Sequence, residues 1–117
     1  KPIGAFQQMQ ERLAEASAAY AAFRALTYTA AQMLDLGHSK GKELSMMAAQ
    51  AKLQSAQMAT RVALDAIQIL GGYGYTREFP VERYMRDAKL MEIGAGTNEI
   101  MRLIIARQML GSEVADA

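Results

Sequence analysis

The stretch from Ser39 to Gly72 reads SKGKELSMMAAQAKLQSAQMATRVALDAIQILGG, and its periodicity decides the fold. Small and apolar residues recur at spacings of three and four, which is the period of one helical face. The members of this stripe are Leu44, Ala48, Ala51, Ser55, Met58, Val62 and Ile69. We predict one helix that starts between Ser39 and Glu43 and stops at Gly71-Gly72. A helix of roughly 30 residues is about 45 Å long, a length typical of helical bundles.

The segment before it carries a second stripe of the same period. Its members are Phe6, Met9, Leu13, Ala16, Tyr20, Phe23, Ala30 and Leu34, interrupted at Thr27. They predict a first long helix that ends at Asp35-Leu36-Gly37, where glycine permits a left-handed helix stop. The next residues, His38-Ser39-Lys40-Gly41, predict a short polar connector and therefore antiparallel neighbours. Because Ala14, Ala21 and Tyr28 lie near the back of this helix, we expect another neighbour to cover that side.

A third, shorter helix follows the glycines. The segment Tyr73-Gly74-Tyr75-Thr76 is rich in glycine and tyrosine, which predicts a turn. Pro80 fits the first position of a helix, and Glu82 fits its first turn, where a carboxylate favours the positive end of the helix dipole. We therefore predict a helix from about Pro80 to Leu90.

The last helix begins after Ile93-Gly94-Ala95-Gly96, which interrupts the periodicity. Either Thr97 or Asn98 provides the N-cap, and the helix ends at Gly111. We expect the tail from Ser112 onward to be frayed. The predicted fold class is all-α, an up-and-down helical bundle of two long and two short helices in a single domain over residues 1–117.

Length and charge exclude several classes of protein. A compact chain of 12.8 kDa forms one domain and would bury about two-thirds of its surface. Thirteen basic and twelve acidic residues give a net charge of +1, which excludes the one-signed field of a nucleic-acid binder or polybasic membrane anchor. Without cysteine, and with His38 as its one histidine, the chain lacks a ligand set for a Cys/His metal site. No apolar run approaches the roughly 18 residues that cross a bilayer.

Two glycine-containing segments are candidate binding sites. In Gln68-Ile69-Leu70-Gly71-Gly72-Tyr73-Gly74-Tyr75, backbone without Cβ atoms can approach another molecule, although a plain helix stop explains the same pattern. In Gly94-Ala95-Gly96-Thr97-Asn98-Glu99, flexible backbone leads into a helix N-terminus, whose unpaired N–H groups favour a phosphate or a thioester oxygen. An ordinary helix cap is the alternative there.

The charged residues indicate structure more than catalysis. Asp65 lies on the apolar stripe of the second helix, so if it is buried it needs a partner, and a structural hydrogen bond is its expected role. Arg86-Asp87 is a candidate buried pair on the third helix. The sequence contains no recognisable Ser-His-Asp set and no carboxylate pair suited to acid–base catalysis.

Three motifs together resemble the C-terminal helical domain of the acyl-CoA dehydrogenases. In chain order they are Ala63 to Tyr75 (ALDAIQILGGYGY), Arg86-Asp87-Ala88-Lys89 and Gly96-Thr97-Asn98-Glu99-Ile100. Lys1-Pro2-Ile3-Gly4 resembles the segment just after the family's Arg-x-x-Phe-Gly motif, so the resemblance covers essentially the whole chain. Because the family's domain is a four-helix bundle, the resemblance implies a further helix before Lys1 that covers the back of the first helix.

The resemblance implies a cofactor and a reaction. Family members hold flavin adenine dinucleotide (FAD) between the subunits of a tetramer and oxidise acyl-CoA to the 2,3-enoyl-CoA. A base removes the α proton, the β hydride passes to flavin N5, and electrons leave through electron-transferring flavoprotein. Gly96 matches a position near the substrate thioester, and residues 68–72 match a stretch that reaches a neighbouring subunit's cofactor. The residues that match flavin contacts are Gln7, Gln68, Ile69, Leu70, Gly71, Gly72, Thr97, Asn98 and Glu99.

The catalytic base is where this sequence departs from many members of the family. Many carry a glutamate immediately before the Gly-Thr pair, and this chain has Ala95, which cannot take a proton. The local pattern Ile93-Gly94-Ala95-Gly96-Thr97 resembles the isovaleryl-CoA and long-chain branch, whose base lies on an earlier helix of the domain, and the chain as a whole is closest to the branched-chain or isovaleryl type. We therefore expect no catalytic residue within the chain and a glutamate base upstream of Lys1. Glu92 does not match the family's base.

The implied function is that of the C-terminal domain of an FAD-dependent acyl-CoA dehydrogenase, inactive as an isolated chain. Its implied partners are acyl-CoA, electron-transferring flavoprotein and further copies of itself, since an exposed apolar face drives self-association. Alanine-rich helices without cysteine favour the bacterial cytoplasm over the mitochondrial matrix. Two alternatives stay open: a stand-alone helical module for oligomerisation or interaction, and a family member that oxidises a carrier-bound acyl group.

Overall fold

The computed structural model of the chain describes residues 1–37 and 41–115. Within these residues the secondary structure is helical throughout, without a β-strand. The prediction of an all-α helical bundle is confirmed, and a further helix of four residues follows the two long and two short helices that were predicted. The helices are α1 (Gln7–Asp35), α2 (Lys42–Leu70), α3 (Val81–Ile93), α4 (Asn98–Leu110) and α5 (Ser112–Ala115), with 3-10 turns at Ile3–Ala5 and Gly71–Tyr75.

Three boundaries differ from the predictions. Pro80 is the N-cap of α3 and not its first residue, and α3 continues past Leu90 to Ile93 because the Gly94 N–H still bonds the Leu90 carbonyl at 2.7 Å. The tail forms the turn of α5 up to Ala115, where a frayed end was expected. Residues 38–40 of the predicted connector lie outside the described residues.

Helix α2 lies at the centre of the bundle. It packs against α1, α3, α4 and the 3-10 turn that follows it. Arg12, near the start of α1, pairs with Asp65, near the end of α2, so the two long helices run antiparallel, as predicted. Midway along α2, Lys52 reaches the first residue of α4, Asn98. The positions of α1, α3 and α4 are therefore set by α2, whereas α5 packs against α4.

The core consists of small side chains on α2. The buried apolar residues among those described are Ala49, Ala51, Ala56 and Ala63. The predicted stripe on α1 is partly wrong, because Leu13, Tyr20 and Leu34 are each more than half exposed. The less exposed residues of α1 instead are Met9, Arg12, Ala16, Ala19, Phe23, Leu26, Ala30 and Met33. Two apolar stripes coexist on α1, and periodicity alone cannot choose between them.

The bundle is long and thin. It measures 57 × 27 × 23 Å and has a radius of gyration of 17.5 Å, against about 13 Å for a compact domain of this size. Its accessible surface is 8437 Å², against about 6,300 Å² for a compact monomer of this mass. The predicted burial of two-thirds of the surface is therefore not reached. Large apolar side chains stay exposed on α1, α3 and α4.

Candidate functional site

The carboxyl end of α2 is shaped by its glycines. Gly71 has φ +60° and ψ −136°, a conformation that glycine tolerates and L-residues avoid. The following turn folds back onto α2, so that a Cβ on Gly74 would lie 2.6 Å from the Ile67 carbonyl oxygen. Gly72 has neither feature, because its φ is not positive and its Cβ would meet no described atom within 4 Å. Backbone conformation thus explains Gly71 and close packing explains Gly74, but neither gives Gly72 a role.

Residues from two helices meet at this end of the domain. Gln68, Ile69 and Leu70 form the last turn of α2, with Gln68 exposed and Ile69 half-buried. Gln7 is the first residue of α1. Because α1 and α2 are antiparallel, Gln7 lies at the same end as the Gln68–Gly72 segment. The structure therefore brings six of the nine predicted cofactor residues to one end.

The other three lie at the start of α4. The Thr97 hydroxyl accepts the hydrogen bond of the Ile100 N–H at 3.2 Å, which identifies Thr97 as the cap and rules out Asn98. Asn98 is 3% exposed. Glu99 is exposed and pairs with Arg102 at 3.5 Å. The helix N-terminus is thus capped by its own side chain, and Asn98 is free to make a different contact.

That contact comes from Lys52, a residue that sequence reasoning missed. Its Nζ donates to the Gly96 carbonyl at 2.7 Å and to Asn98 Oδ1 at 3.1 Å. The loop that it holds contains two consecutive left-handed residues, Ala95 with φ +54° and Gly96 with φ +90°. The sequence did contain a signal for this contact, because a lysine lies between the small residues Ala51 and Ser55 on the inner face of α2.

The two candidate segments are far apart within one chain. Lys52 marks the position of the α4 start along α2, and Gln68 lies 16 residues further on. At about 1.5 Å per residue the separation along the axis of α2 is about 24 Å. Residues 68–72 and residues 97–99 therefore do not form one compact site within this chain.

An apolar groove opens beside Ala95. It has a volume of about 530 Å³ and extends into a neighbouring groove of about 360 Å³ that shares Phe23 and Ala59. Residues of α1, α2 and α3 form its walls. The residues around the larger groove are Phe23, Lys52, Ser55, Ala56, Ala59, Leu90, Met91, Gly94 and Ala95. The floor is made of small side chains, so a helix or an acyl chain could approach α2 closely.

The ionisable groups form structural pairs. The expected structural role of Asp65 is confirmed, because Arg12 donates to its carboxylate and leaves only 19% of that side chain exposed. The predicted buried pair Arg86-Asp87 is wrong. Adjacent residues on a helix do not face each other, and Arg86 instead bonds Glu82 at 3.1 Å on the exposed side of α3, which raises the pKa of Arg86. Asp87 pairs with Arg83 at 3.5 Å.

Glu92 is the carboxylate nearest in sequence to the loop. A hydrogen bond from Lys89, at 2.9 Å, lowers the pKa of Glu92 below its usual value, and the nearby Thr60 hydroxyl acts in the same direction. A general base at neutral pH needs a raised pKa. Glu92 is therefore held as a carboxylate by its neighbours and is unsuited to take a proton from a weak carbon acid.

Within residues 1–37 and 41–115, the acidic side chains nowhere gather in threes as a metal site requires. In the same part of the chain, each helix is too short or too polar to span a membrane.

The sequence and the fold both match one family. The profile described as "Acyl-CoA dehydrogenase, C-terminal domain" matches residues 1–110. The chain belongs to the acyl-CoA dehydrogenase family. This acyl-CoA dehydrogenase domain is 49% identical over 105 residues to the mitochondrial isovaleryl-CoA dehydrogenase of Bos taurus, covering 90% of this chain and 24% of that protein.

Solved structures agree with this assignment. Butyryl-CoA dehydrogenase from Megasphaera elsdenii matches with a TM-score of 0.88 at 40% identity, over 94% of this chain and 28% of that one. The FAD complex of PigA matches with a TM-score of 0.85 at 30% identity, over 93% of this chain and 27% of that one. The acyl-CoA dehydrogenase domain described here spans about a quarter of the length of the curated relatives that it matches. The resemblance inferred from the three motifs is confirmed.

Proposed function

We propose that this chain is the C-terminal domain of an FAD-dependent dehydrogenase that oxidises an acyl-CoA to the 2,3-enoyl-CoA. The observation that carries the proposal is the apolar groove beside Ala95, in a chain whose sequence matches the family over residues 1–110. The domain would contribute flavin contacts and a subunit interface. By itself it would be inactive, because the groove is open and no described residue is a suitable base.

The residues of the domain fit a flavin. Gly72 has no Cβ to cover its backbone, and no described residue lies close enough to require a glycine there. A ligand could therefore approach this backbone closely. The exposed Gln68 provides an amide beside it, and the positive end of α4 at Thr97 favours phosphate or a polarised carbonyl. FAD, when bound, would supply the acceptor for the β hydride. Gly96 would lie near the substrate thioester.

The distance between the two segments supports a site shared between subunits. About 24 Å of α2 separates residues 68–72 from residues 97–99, so one chain would use them on different cofactors. We propose that Thr97, Asn98 and Glu99 contact the flavin of their own subunit and that residues 68–72 reach the flavin of a neighbour. The exposed apolar residues of α1 and α4, Tyr20 and Leu103 among them, would pack between subunits of a homotetramer.

The base would come from a segment before Lys1. Ala95 has no acidic group, and the pKa of Glu92 is lowered by its partners. The groove between α1 and α3 has the small-residue floor that a docked helix needs. A helix there would contact the side of α1 that carries Phe23 and bring its glutamate next to Ala95, where the carboxylate would take the α proton. Electron-transferring flavoprotein would reoxidise the enzyme, which we place in the bacterial cytoplasm.

The whole protein tests this proposal. Purified with its flavin, it should reduce a dye or electron-transferring flavoprotein when given one of a panel of straight, branched and cyclic acyl-CoAs. Substituting the upstream glutamate by glutamine should abolish turnover, and adding Ala95→Glu should restore part of it, since both positions border the same groove. A flavin-loaded protein that oxidises no acyl-CoA would refute the proposal.

The same purified protein distinguishes this function from the two alternatives. A stand-alone interaction module predicts a native polypeptide of 12.8 kDa that self-associates and carries no flavin. A dehydrogenase for carrier-bound acyl groups predicts turnover with an acyl carrier thioester and none with the CoA thioester.

A further inference from the structure

Lys52 connects the middle of α2 to the loop between α3 and α4. Its ammonium group donates to the Gly96 carbonyl at 2.7 Å and to Asn98 Oδ1 at 3.1 Å. These acceptors lie 44 and 46 residues away in sequence. Hydrogen bonds from a charged donor are about twice as strong as neutral ones. One side chain therefore fixes both the loop and the first residue of α4 to the central helix.

The loop needs such an anchor because its backbone is unfavourable. Ala95 and Gly96 are both left-handed, and an L-residue persists there only where its surroundings fix it. The other anchors of the loop come from the helices that it joins. Gly94 N–H bonds the Leu90 carbonyl of α3, and Thr97 caps α4. Lys52 is the described side chain that ties the loop to a third helix.

We infer that Lys52 is a positioning residue that holds the Gly94–Thr97 loop in its left-handed form. The role of this loop in catalysis rests on the proposed function, in which Gly96 lies near the substrate thioester and Thr97 contacts the flavin. Lys52 touches neither and acts through the Gly96 carbonyl and the buried Asn98. Lys52 also borders the apolar groove beside Ala95, so the same residue fixes one wall of the space into which the upstream glutamate would project.

Hydrogen exchange of the whole protein, followed by mass spectrometry, tests the anchor without any activity. The informative peptide covers residues 92–101, because the first two positions of a peptide lose their label, and in it the amides of Gly94, Ile100 and Met101 are hydrogen-bonded. Lys52→Met should speed exchange of this peptide about 10-fold or more, the loss expected for a charge-assisted bond. Lys52→Arg should restore most of the protection. Lys42→Met, at the exposed start of the same helix, should leave the peptide unchanged, and α1 peptides report global unfolding.

Turnover gives the second measurement. In Lys52→Met, kcat should fall about 10-fold or more while KM changes less than about threefold, because the loop would position the reacting groups more than it would bind the substrate. Unchanged exchange at residues 94–101 in a folded Lys52→Met protein overturns the inference, whatever the activity. Faster exchange in a protein that oxidises no acyl-CoA supports the anchor and refutes the proposed function. Should Lys52→Met fail to fold, Lys52→Gln provides the same comparison.

Discussion

The guanidinium of Arg12 donates to the carboxylate of Asp65 across 53 residues of sequence. The bond joins the second turn of α1 to the penultimate turn of α2, close to the glycine end of the domain. Asp65 is 19% exposed and Arg12 39%, whereas the pair Arg83–Asp87 on α3 is mostly in solvent. The end of the bundle that carries Gln7 and residues 68–72 is thus closed by an ion pair that is partly shielded from water.

Asp65→Asn should destabilise the domain by about 1–2 kcal/mol, because it removes a charge-assisted hydrogen bond and leaves the Arg12 cation without its partner. Combined with Arg12→Gln, a double-mutant cycle in the whole protein should give a coupling energy of about 1 kcal/mol. Chemical denaturation monitored by circular dichroism measures both values. Arg83→Gln is the matched control and should cost less than about 0.5 kcal/mol. Equal losses for Asp65→Asn and Arg83→Gln would contradict a special role for the inter-helix pair.

Gly72→Ala and Gly74→Ala should have opposite consequences. A Cβ at Gly74 meets backbone of Ile67 at 2.6 Å, so the turn must move and stability should fall by about 1–3 kcal/mol. A Cβ at Gly72 meets no described atom within 4 Å, so the melting temperature of Gly72→Ala should equal that of the unsubstituted protein. Flavin content, read from visible absorbance of the purified protein, should fall in Gly72→Ala. Full flavin retention in a stable Gly72→Ala protein would count against contact between this residue and the cofactor.

Ala95→Gly should raise stability or leave it unchanged, since glycine accepts φ +54° without the cost of about 1–2 kcal/mol that an L-residue pays there. Ala95→Val should be destabilising, because a β-branched residue tolerates this region worst. Ala48, exposed on α2, provides the control: Ala48→Gly should destabilise by about 1 kcal/mol. Thermal unfolding of the four proteins measures the contrast. Equal effects of the two glycine substitutions would show that residue 95 is not left-handed in solution.

Glu92→Gln should change the pH dependence of stability. The hydrogen bond from Lys89 lowers the pKa of Glu92 in the folded state, and the nearby Thr60 hydroxyl acts in the same direction. A carboxylate with a lowered folded-state pKa stabilises the fold at pH values above its unfolded pKa, about 4.3 for glutamate. This contribution is lost as the pH falls through the folded-state pKa. Glu92→Gln should therefore lower the melting temperature at pH 7, and the difference should shrink below about pH 4.3. A difference that stays constant down to pH 3 would contradict this account.

The fold could be predicted because its signals are local. Helix periodicity, the stops at Gly37 and Gly71, and the polar start of α4 depend on neighbours within a few residues. The face of α1 that meets α2 could not be predicted, since two apolar stripes compete and the choice depends on what else covers the helix. Exposed Leu13 and Tyr20 show which stripe the described residues leave free.

The candidate site, too, could be predicted from the sequence only in its local features. Motif order located the glycine turn and the start of α4, but their separation along α2 and the contact from Lys52 depend on tertiary packing. The wrong prediction of an Arg86-Asp87 pair had a local cause, because neighbours in sequence lie on different sides of a helix. The partner of Asp65 could not be predicted because the contact is not local: Arg12 lies 53 residues away in sequence.

The all-alanine interior of α2 has a consequence for how variation in this domain should be read. Damaging substitutions are usually sought among large core side chains, where truncation leaves a void. Here the buried residues Ala49 and Ala51 carry only a methyl group and border neither apolar groove, so a larger side chain has no open space to enter. Ala49→Val, a change that most substitution scales class as mild, should therefore push α2 away from its neighbours. Inherited or engineered variants that enlarge either position should be expected to destabilise the domain, as variants that truncate a large core side chain do.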